Sequence, residues 1–364
     1  MNRNVFVCVD LCLFYLLTPA KPILCYNIAM DFIRSRVFAR AGLVGNPSDG
    51  YNGKTITVIV KNFCAQVILH EWDRVEIMPG AADESNFPSI HALAKDVRLH
   101  GYYGGIRLIK AAINGFVTYC TERKLTLPNR NFSLRYQSTI PRQVGMAGSS
   151  AIVVATLRAL KNFYEIDIPK RVLPSLVLSI ERDQLGIPAG LQDRVAQVYE
   201  GCVFMNFSQE AMKTDDGFIC GEYEDLPVAL LPPLYVSYAA DCSEPTEVFH
   251  NNLRFRYDQG EPAVIAAMQR CAELTTEAKN ALLSGQQELL PGLLDANFDI
   301  RRSICLLPKE QILMVETARS CGASANFAGS GGAIVGTYPD EEAFVKLQES
   351  MQKIGCETVK PVLE

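Results

Sequence analysis

The stretch Pro141-Arg-Gln-Val-Gly-Met-Ala-Gly-Ser-Ser-Ala151 holds the residue types that can bind a phosphate group. Gly145 and Gly148 let the main chain approach an anion and turn through positive φ without a Cβ clash. Met146 and Ala147 lie between them, and the run Ala151 to Tyr164 repeats apolar residues at helical spacing. A loop that opens a helix leaves main-chain N–H groups unpaired and pointing at any anion placed there. Ser149 and Ser150 offer either a cap for that helix or a hydroxyl for a phosphate-bound metal. Two carboxylates follow. Glu181 falls on an amphipathic helix expected over 170–186, and the Gly186-Ile-Pro-Ala-Gly190 turn delivers Asp193 to whatever that turn faces. Taken alone, the loop also fits an ordinary turn with a serine cap. Glu181 alone fits a solvated helix charge, and Asp193 a cap for 194–199. The loop lacks the Gly-Lys-Ser/Thr ending of a P-loop and the Gly-x-Gly-x-x-Gly spacing of a dinucleotide site.

Those residues need elements to carry them. Alternating Phe132, Leu134, Tyr136 and Ile140 predict a strand into the loop. Further strands are expected at 36–40, 55–60, 65–69 and 75–78. A helical pattern from 90 to 124 is interrupted at His100-Gly-Tyr-Tyr-Gly-Gly105, where Tyr102 and Tyr103 suit either a packed turn or stacking on a nucleotide. Arg107, beside them, is a possible carboxylate partner. A loop is expected up to about 225, then a strand within 230–239 and helices at 261–285, 286–305 and 308–321. A strand–glycine turn–strand at 323–336, a helix at 340–354 and a strand at 356–362 end the chain.

The chain has 364 residues, 48% hydrophobic and 21% charged, with a net charge of −5. This is the composition of a well-cored globular chain with no basic run to hold nucleic acid. Its 12 cysteines include no Cys-x-x-Cys pair, and with only 4 histidines they argue against a zinc site or a disulfide framework. They fit reduced thiols in a cytoplasmic protein. Val5 to Leu17 is apolar but broken by Asp10, too short for a comfortable membrane span and only faintly like a secretory signal. Residues 1–29 read as an extension that is disordered or non-native, with Met30 as an alternative start.

The loop 141–151 resembles the phosphate loop of the GHMP small-molecule kinases, and two further motifs of that family follow the right order, near 39–49 and 326–336. The resemblance runs from about 36 to 360. Ala39-Arg-Ala-Gly-Leu-Val-Gly-Asn-Pro-Ser-Asp49, Gly101-Tyr-Tyr-Gly-Gly105 and Ala189-Gly-Leu-Gln-Asp-Arg-Val-Ala-Gln-Val-Tyr199 look most like its glucuronokinase subgroup. It implies a two-lobe α+β fold, with an ATP-binding N-terminal domain at 30–225 and a C-terminal domain at 226–364.

The resemblance also implies ATP and Mg²⁺ on the loop and a sugar acid between the lobes. Carried over, Ser149 and Glu181 would hold the metal, with Ser150 in reserve. Asp193 would be the catalytic acid–base and Arg40 a cation near the transferred phosphate. Asp49 would bind sugar hydroxyls. Arg194 or Arg142 would meet an acidic sugar. Gly329, Gly331 and Gly332 would shape a supporting loop. Galactokinase-like members carry Pro-Gly where this chain has Phe38-Ala39, and Glu-His where it has Asn46-Pro47. The reaction implied is phosphorylation of D-glucuronate at its anomeric hydroxyl, feeding UDP-glucuronate salvage. The alternatives are another sugar kinase of this kind (for galacturonate, galactose or arabinose), a kinase of mevalonate-type alcohols, or a catalytically silent sugar-binding regulator.

Overall fold

Strand β1 (Ile33–Val44) lies antiparallel along β2 (Lys54–Trp72), and this ladder is the spine of the fold. The computed structural model describes residues 31–79, 83, 104–187, 189–240 and 247–364, apart from the side chains of 247–252. The N-terminal extension and the Tyr102–Tyr103 pair lie outside the described residues. From Phe32 to Glu364 the chain forms one compact unit.

Two separate strands were expected at 55–60 and 65–69, but β2 runs through both. The β1 register jumps between Phe38, opposite Cys64, and Ala39, opposite Val60, so residues 61–63 are absorbed as a bulge. The C-terminal tail holds that bulge. Lys61 N–H donates to Val362 O at 2.8 Å, and Asn62 exchanges hydrogen bonds with Lys360 O and Val362 N–H. Because it is so long, β2 serves two partners. Residues 65–72 pair with β4 (Asn131–Ser138), and residues 54–58 with β5 (Cys202–Asn206). Strand β3 (Glu76–Met78) edges β4 in parallel.

The segment 213–226, expected as loop, forms a small hairpin, β6 (Lys213–Asp215) and β7 (Phe218–Cys220), and an edge strand, β8 (Glu222–Leu226), on β5. Edge strands need bury little apolar surface, so their sequence looks polar.

A second, antiparallel sheet has the order β10-β11-β9-β12, built from Asn326–Phe327, Ala333–Thr337, Leu234–Ala239 and Cys356–Val359. Its Val236 and Val335 join the same apolar core as Val58 and Val67 of the first sheet, while Tyr235, Ile334 and Phe327 face a smaller core with Phe298 and Leu347. The class is mixed α+β.

The helices among the described residues are α1 (Gly105–Glu122), α2 (Gly148–Phe163), α3 (Leu173–Ser179), α4 (Gln192–Tyr199), α5 (Glu247–Asp258), α6 (Pro262–Leu283), α7 (Leu290–Ile304), α8 (Lys309–Ser320) and α9 (Glu341–Lys353). Among the described residues no helix is long and apolar enough to cross a membrane. The eight described cysteines are free thiols.

Helix α2 fixes the phosphate loop. It is apolar nearly all round and buries Ile152, Val153, Val154, Leu157, Leu160 and Phe163. Such a helix belongs in a core, and each large side chain contributes about 1.5–3 kcal/mol of burial. Ala151, Ala155 and Ala159 recur every fourth residue and are all buried, which lets neighbouring elements approach closely. The loop at its N-terminus is therefore held by a rigid, buried rod.

Candidate active site

From Gln143 to Ala147 every second residue is left-handed: Gln143 (φ 59°), Gly145 (φ 68°) and Ala147 (φ 64°). Main chain curled in this way forms an anion-binding concavity ahead of the first turn of α2. Neither serine caps the helix, because Ala147 holds the cap position and Gly148, Ser149 and Ser150 are its first three helical residues. The two hydroxyls then differ. Ser150 is buried and donates to Ala147 O at 3.2 Å. Ser149 is half-buried and lies beside Glu181.

Arg40 reaches the loop from β1. Its Nη1 donates to Gly145 O at 2.5 Å and to Ala328 O at 2.7 Å, while Nε donates to Asp193 Oδ1 at 2.7 Å. The side chain is nearly closed off from solvent, so its geometry is set by the protein. Asp193 lies in the first turn of α4, behind Leu191 at the cap position, and does not cap the helix.

Helix α3 runs into one π turn, Ile180–Gln184, and this carries Glu181 inward to full burial. Arg194 meets Glu181 Oε2 through Nε at 2.6 Å and Nη2 at 2.5 Å. It also donates to Gly190 O at 3.0 Å and lies 3.5 Å from Asp193 Oδ2. Burial pushes the Glu181 carboxyl above its usual range, and Arg194 pulls it back. Burial also works against the charge on Arg194, but Glu181 and Asp193 outweigh it and hold that guanidinium above its usual value. Glu181 Oε1 is buried and makes no hydrogen bond of regular geometry.

Asp49 sits in a short helical turn, Ser48–Tyr51, between β1 and β2. Burial and the nearby Asp193 charge push its carboxyl up to about 7, against Arg40 and Arg194, which lower it. A Cβ on Gly190 would stand 2.7 Å from Asp49 Oδ2, so the backbone at Gly190 packs directly against this carboxyl.

The loop between β10 and β11 packs on the phosphate loop. A Cβ on Gly329 would lie 2.2 Å from Gly145 O and 2.6 Å from Arg40 Nη1, so only glycine fits. Gly331 (φ 137°) and Gly332 (φ 80°) take left-handed conformations in the same turn.

A buried polar frame behind the site was not anticipated from the sequence. Arg301 of α7 donates to Gly329 O at 2.7 Å, Ser330 O at 3.2 Å and Asn46 Oδ1 at 3.0 Å. Asn46 donates to Gln192 at 2.9 Å, and Gln192 to Thr57 at 2.8 Å. Asn297, one helical turn before Arg301, binds both Asn46 O and Gly45 N–H. Asn46 thereby anchors the loop after β1. Gln197 of α4 donates to Ala147 O at 2.7 Å and steadies the helix start. The one sequence signal was a polar pair four apart, Asn297 and Arg301, on the face of α7 that also carries buried Leu294 and Phe298.

Arg40, Asp49, Glu181, Asp193 and Arg194 thus converge beside Ser149 and the phosphate loop. Arg142 is exposed, near enough to Tyr136 to act on its hydroxyl. Arg107 donates to Leu185 O at 2.5 Å.

Residues 107–201 match the family described as GHMP kinases N terminal domain. Glucuronokinase 1 of Arabidopsis thaliana is 43% identical over 337 residues, covering 91% of this chain and 91% of its own length. Probable glucuronokinase 2 of the same plant is also 43% identical, over 335 residues and 90% of each chain. Among solved structures, Lactococcus lactis galactokinase complexed with galactose shares the fold with a TM-score of 0.69 at 15% identity, covering 92% of this chain and 94% of its own. With the phosphate loop, the arginine–aspartate pair and the glycine loop all joined in one site, and with full-length relatives this similar, the chain belongs to the GHMP kinase family.

Proposed function

We propose that this protein transfers the γ-phosphoryl group of ATP to the anomeric hydroxyl of D-glucuronate, giving glucuronate 1-phosphate and ADP for UDP-glucuronate salvage. One observation carries the catalytic part: Arg40 bonds Asp193 through Nε while Nη1 sits on the phosphate loop at Gly145 O. A proton acceptor and a phosphate cradle are thereby tied together by one cation. The sugar acceptor rests on the 43% identity to glucuronokinase 1 over nearly the whole chain.

In this reading residues 30–225 are the ATP-binding domain and 226–364 the C-terminal domain. The main-chain amides from Gly145 to Ala151 hold the phosphates. Asp193 takes the proton of the acceptor hydroxyl, and Arg40 orients it and offsets negative charge building on the transferred group. Asp49 accepts hydrogen bonds from sugar hydroxyls.

The site suits Mg²⁺. Glu181 Oε1 is a buried carboxylate oxygen with no hydrogen bond of regular geometry, and the Ser149 hydroxyl is close enough to act on that carboxylate. Two protein oxygens, supplemented by phosphate and water, are what a small hard cation takes. When bound, the ion would neutralise charge on the phosphates. Arg194 is committed to Glu181, and its task in this reading is to keep that carboxylate charged and aimed. The uronate carboxylate then falls to another arginine, with Arg142 and Arg107 as candidates.

The test is ADP release with Mg²⁺-ATP against glucuronate, galacturonate, glucose, galactose, arabinose and mevalonate. Turnover with glucuronate at least tenfold above the others is expected. Preference for a neutral sugar would overturn the acceptor, and silence with all six would overturn the kinase reading.

A further inference from the structure

A second concave site lies away from the residues described above. A groove of 580 Å³ is lined by the start of β1, the second half of α2 and the segment leading into α3. Five of its residues are cations: Arg34, Arg36, Arg158, Lys161 and Lys170. One acid, Asp167, lines it, and this is held by Lys161 at 3.2 Å. Arg158 is paired with Glu200 at 2.9 Å. Arg34, Arg36 and Lys170 are exposed and make no ion pair among the described residues. A chain of net charge −5 therefore gathers positive charge in one hollow, where the cations repel one another unless an anion joins them.

Guanidinium forks and an ammonium together match phosphate oxygens, and the volume is that of a small-molecule site. We propose that this groove binds a phosphate-bearing small molecule, with Arg34, Arg36 and Lys170 as its charge partners.

The test counts binding equivalents of inorganic pyrophosphate by equilibrium dialysis, on the full chain and without divalent metal. The double variant Arg34→Glu/Arg36→Glu should bind one equivalent fewer than the native chain, whether or not the phosphate loop takes an equivalent of its own. It should also keep the native kcat, which shows that it is folded. The single variant Lys170→Glu should weaken the groove equivalent at least fivefold. Equal stoichiometry in native chain and double variant, or unchanged affinity in Lys170→Glu, would overturn the proposal.

Discussion

Arg40 Nε donates to Asp193 Oδ1 at 2.7 Å, joining the middle of β1 to the first turn of α4. The bond leaves Asp193 oriented before any substrate arrives. Asp193→Ala or Asp193→Asn should lower kcat by about 10²–10⁴-fold, the range for loss of an acid–base group, and change the Kd for ATP less than threefold. Steady-state kinetics and calorimetric ATP titration check this. Turnover within tenfold of native would mean that another group takes the proton.

Glu181 and Arg194 form a fully buried pair. Glu181→Ala strands a buried guanidinium and should cost about 3–5 kcal/mol of stability, seen as a large fall in urea midpoint. Glu181→Gln keeps the shape and an oxygen. Its expected effect is a rise of tenfold or more in the Mg²⁺ concentration for half-maximal rate, with a smaller loss of stability. If Mg²⁺ dependence stays native in Glu181→Gln, the carboxylate has only a structural task.

Asp49 is held at about 7 by burial and by Asp193, against an unfolded value near 3.8. A raised carboxyl pKa means that the native state binds the proton more tightly than the unfolded state. Its charge therefore destabilises the fold progressively as pH rises from about 4 to 7, after which the cost is constant. Asp49→Asn should thus melt higher than native at pH 8, with the advantage shrinking as pH falls from 7 towards 4. The same variant should raise the KM for the sugar. Melting curves at pH 5 and 8 settle the sign, and an unchanged KM would remove Asp49 from the acceptor site.

A methyl group on Gly329 would stand 2.2 Å from Gly145 O and 2.6 Å from Arg40 Nη1, so both must give way. Gly329→Ala should cost about 1–3 kcal/mol through overpacking and lower kcat at least tenfold, because it disturbs a carbonyl and a guanidinium that are bonded to each other. Gly292→Ala is the control: like Gly329 it has no positive φ, and nothing stands within 4 Å of the added Cβ, so it should keep both stability and kcat.

Much of this was legible in the chain because the deciding physics is local. The glycine and serine spacing of 141–151 and the helix behind it are properties of a dozen consecutive residues. So is the turn ahead of Asp193. What escaped was non-local. Nothing near Lys61-Asn62-Phe63 says that a tail some 300 positions later will hold those residues in a bulge and keep β2 whole. Arg301, Asn46, Gln192 and Asn297 each look like surface polar residues until folding brings them into one buried frame. The bond from Arg194 to Glu181 could not be read from the sequence either, because the π turn that swings Glu181 into its fork has no clear mark there.

The two carbonyls on Arg40 Nη1 come from Gly145 and Ala328, and this imposes an order of events on protein synthesis. A nascent chain that has emerged as far as β5 holds residues 141–151, Arg40 and Asp193, but Arg40 still lacks one of its three hydrogen-bond partners. The Arg40 guanidinium gains its last partner only when almost the whole polypeptide has left the ribosome. A truncated product ending before Ala328 would keep residues 141–151 and Asp193 but lack the carbonyl that completes the restraint on the arginine.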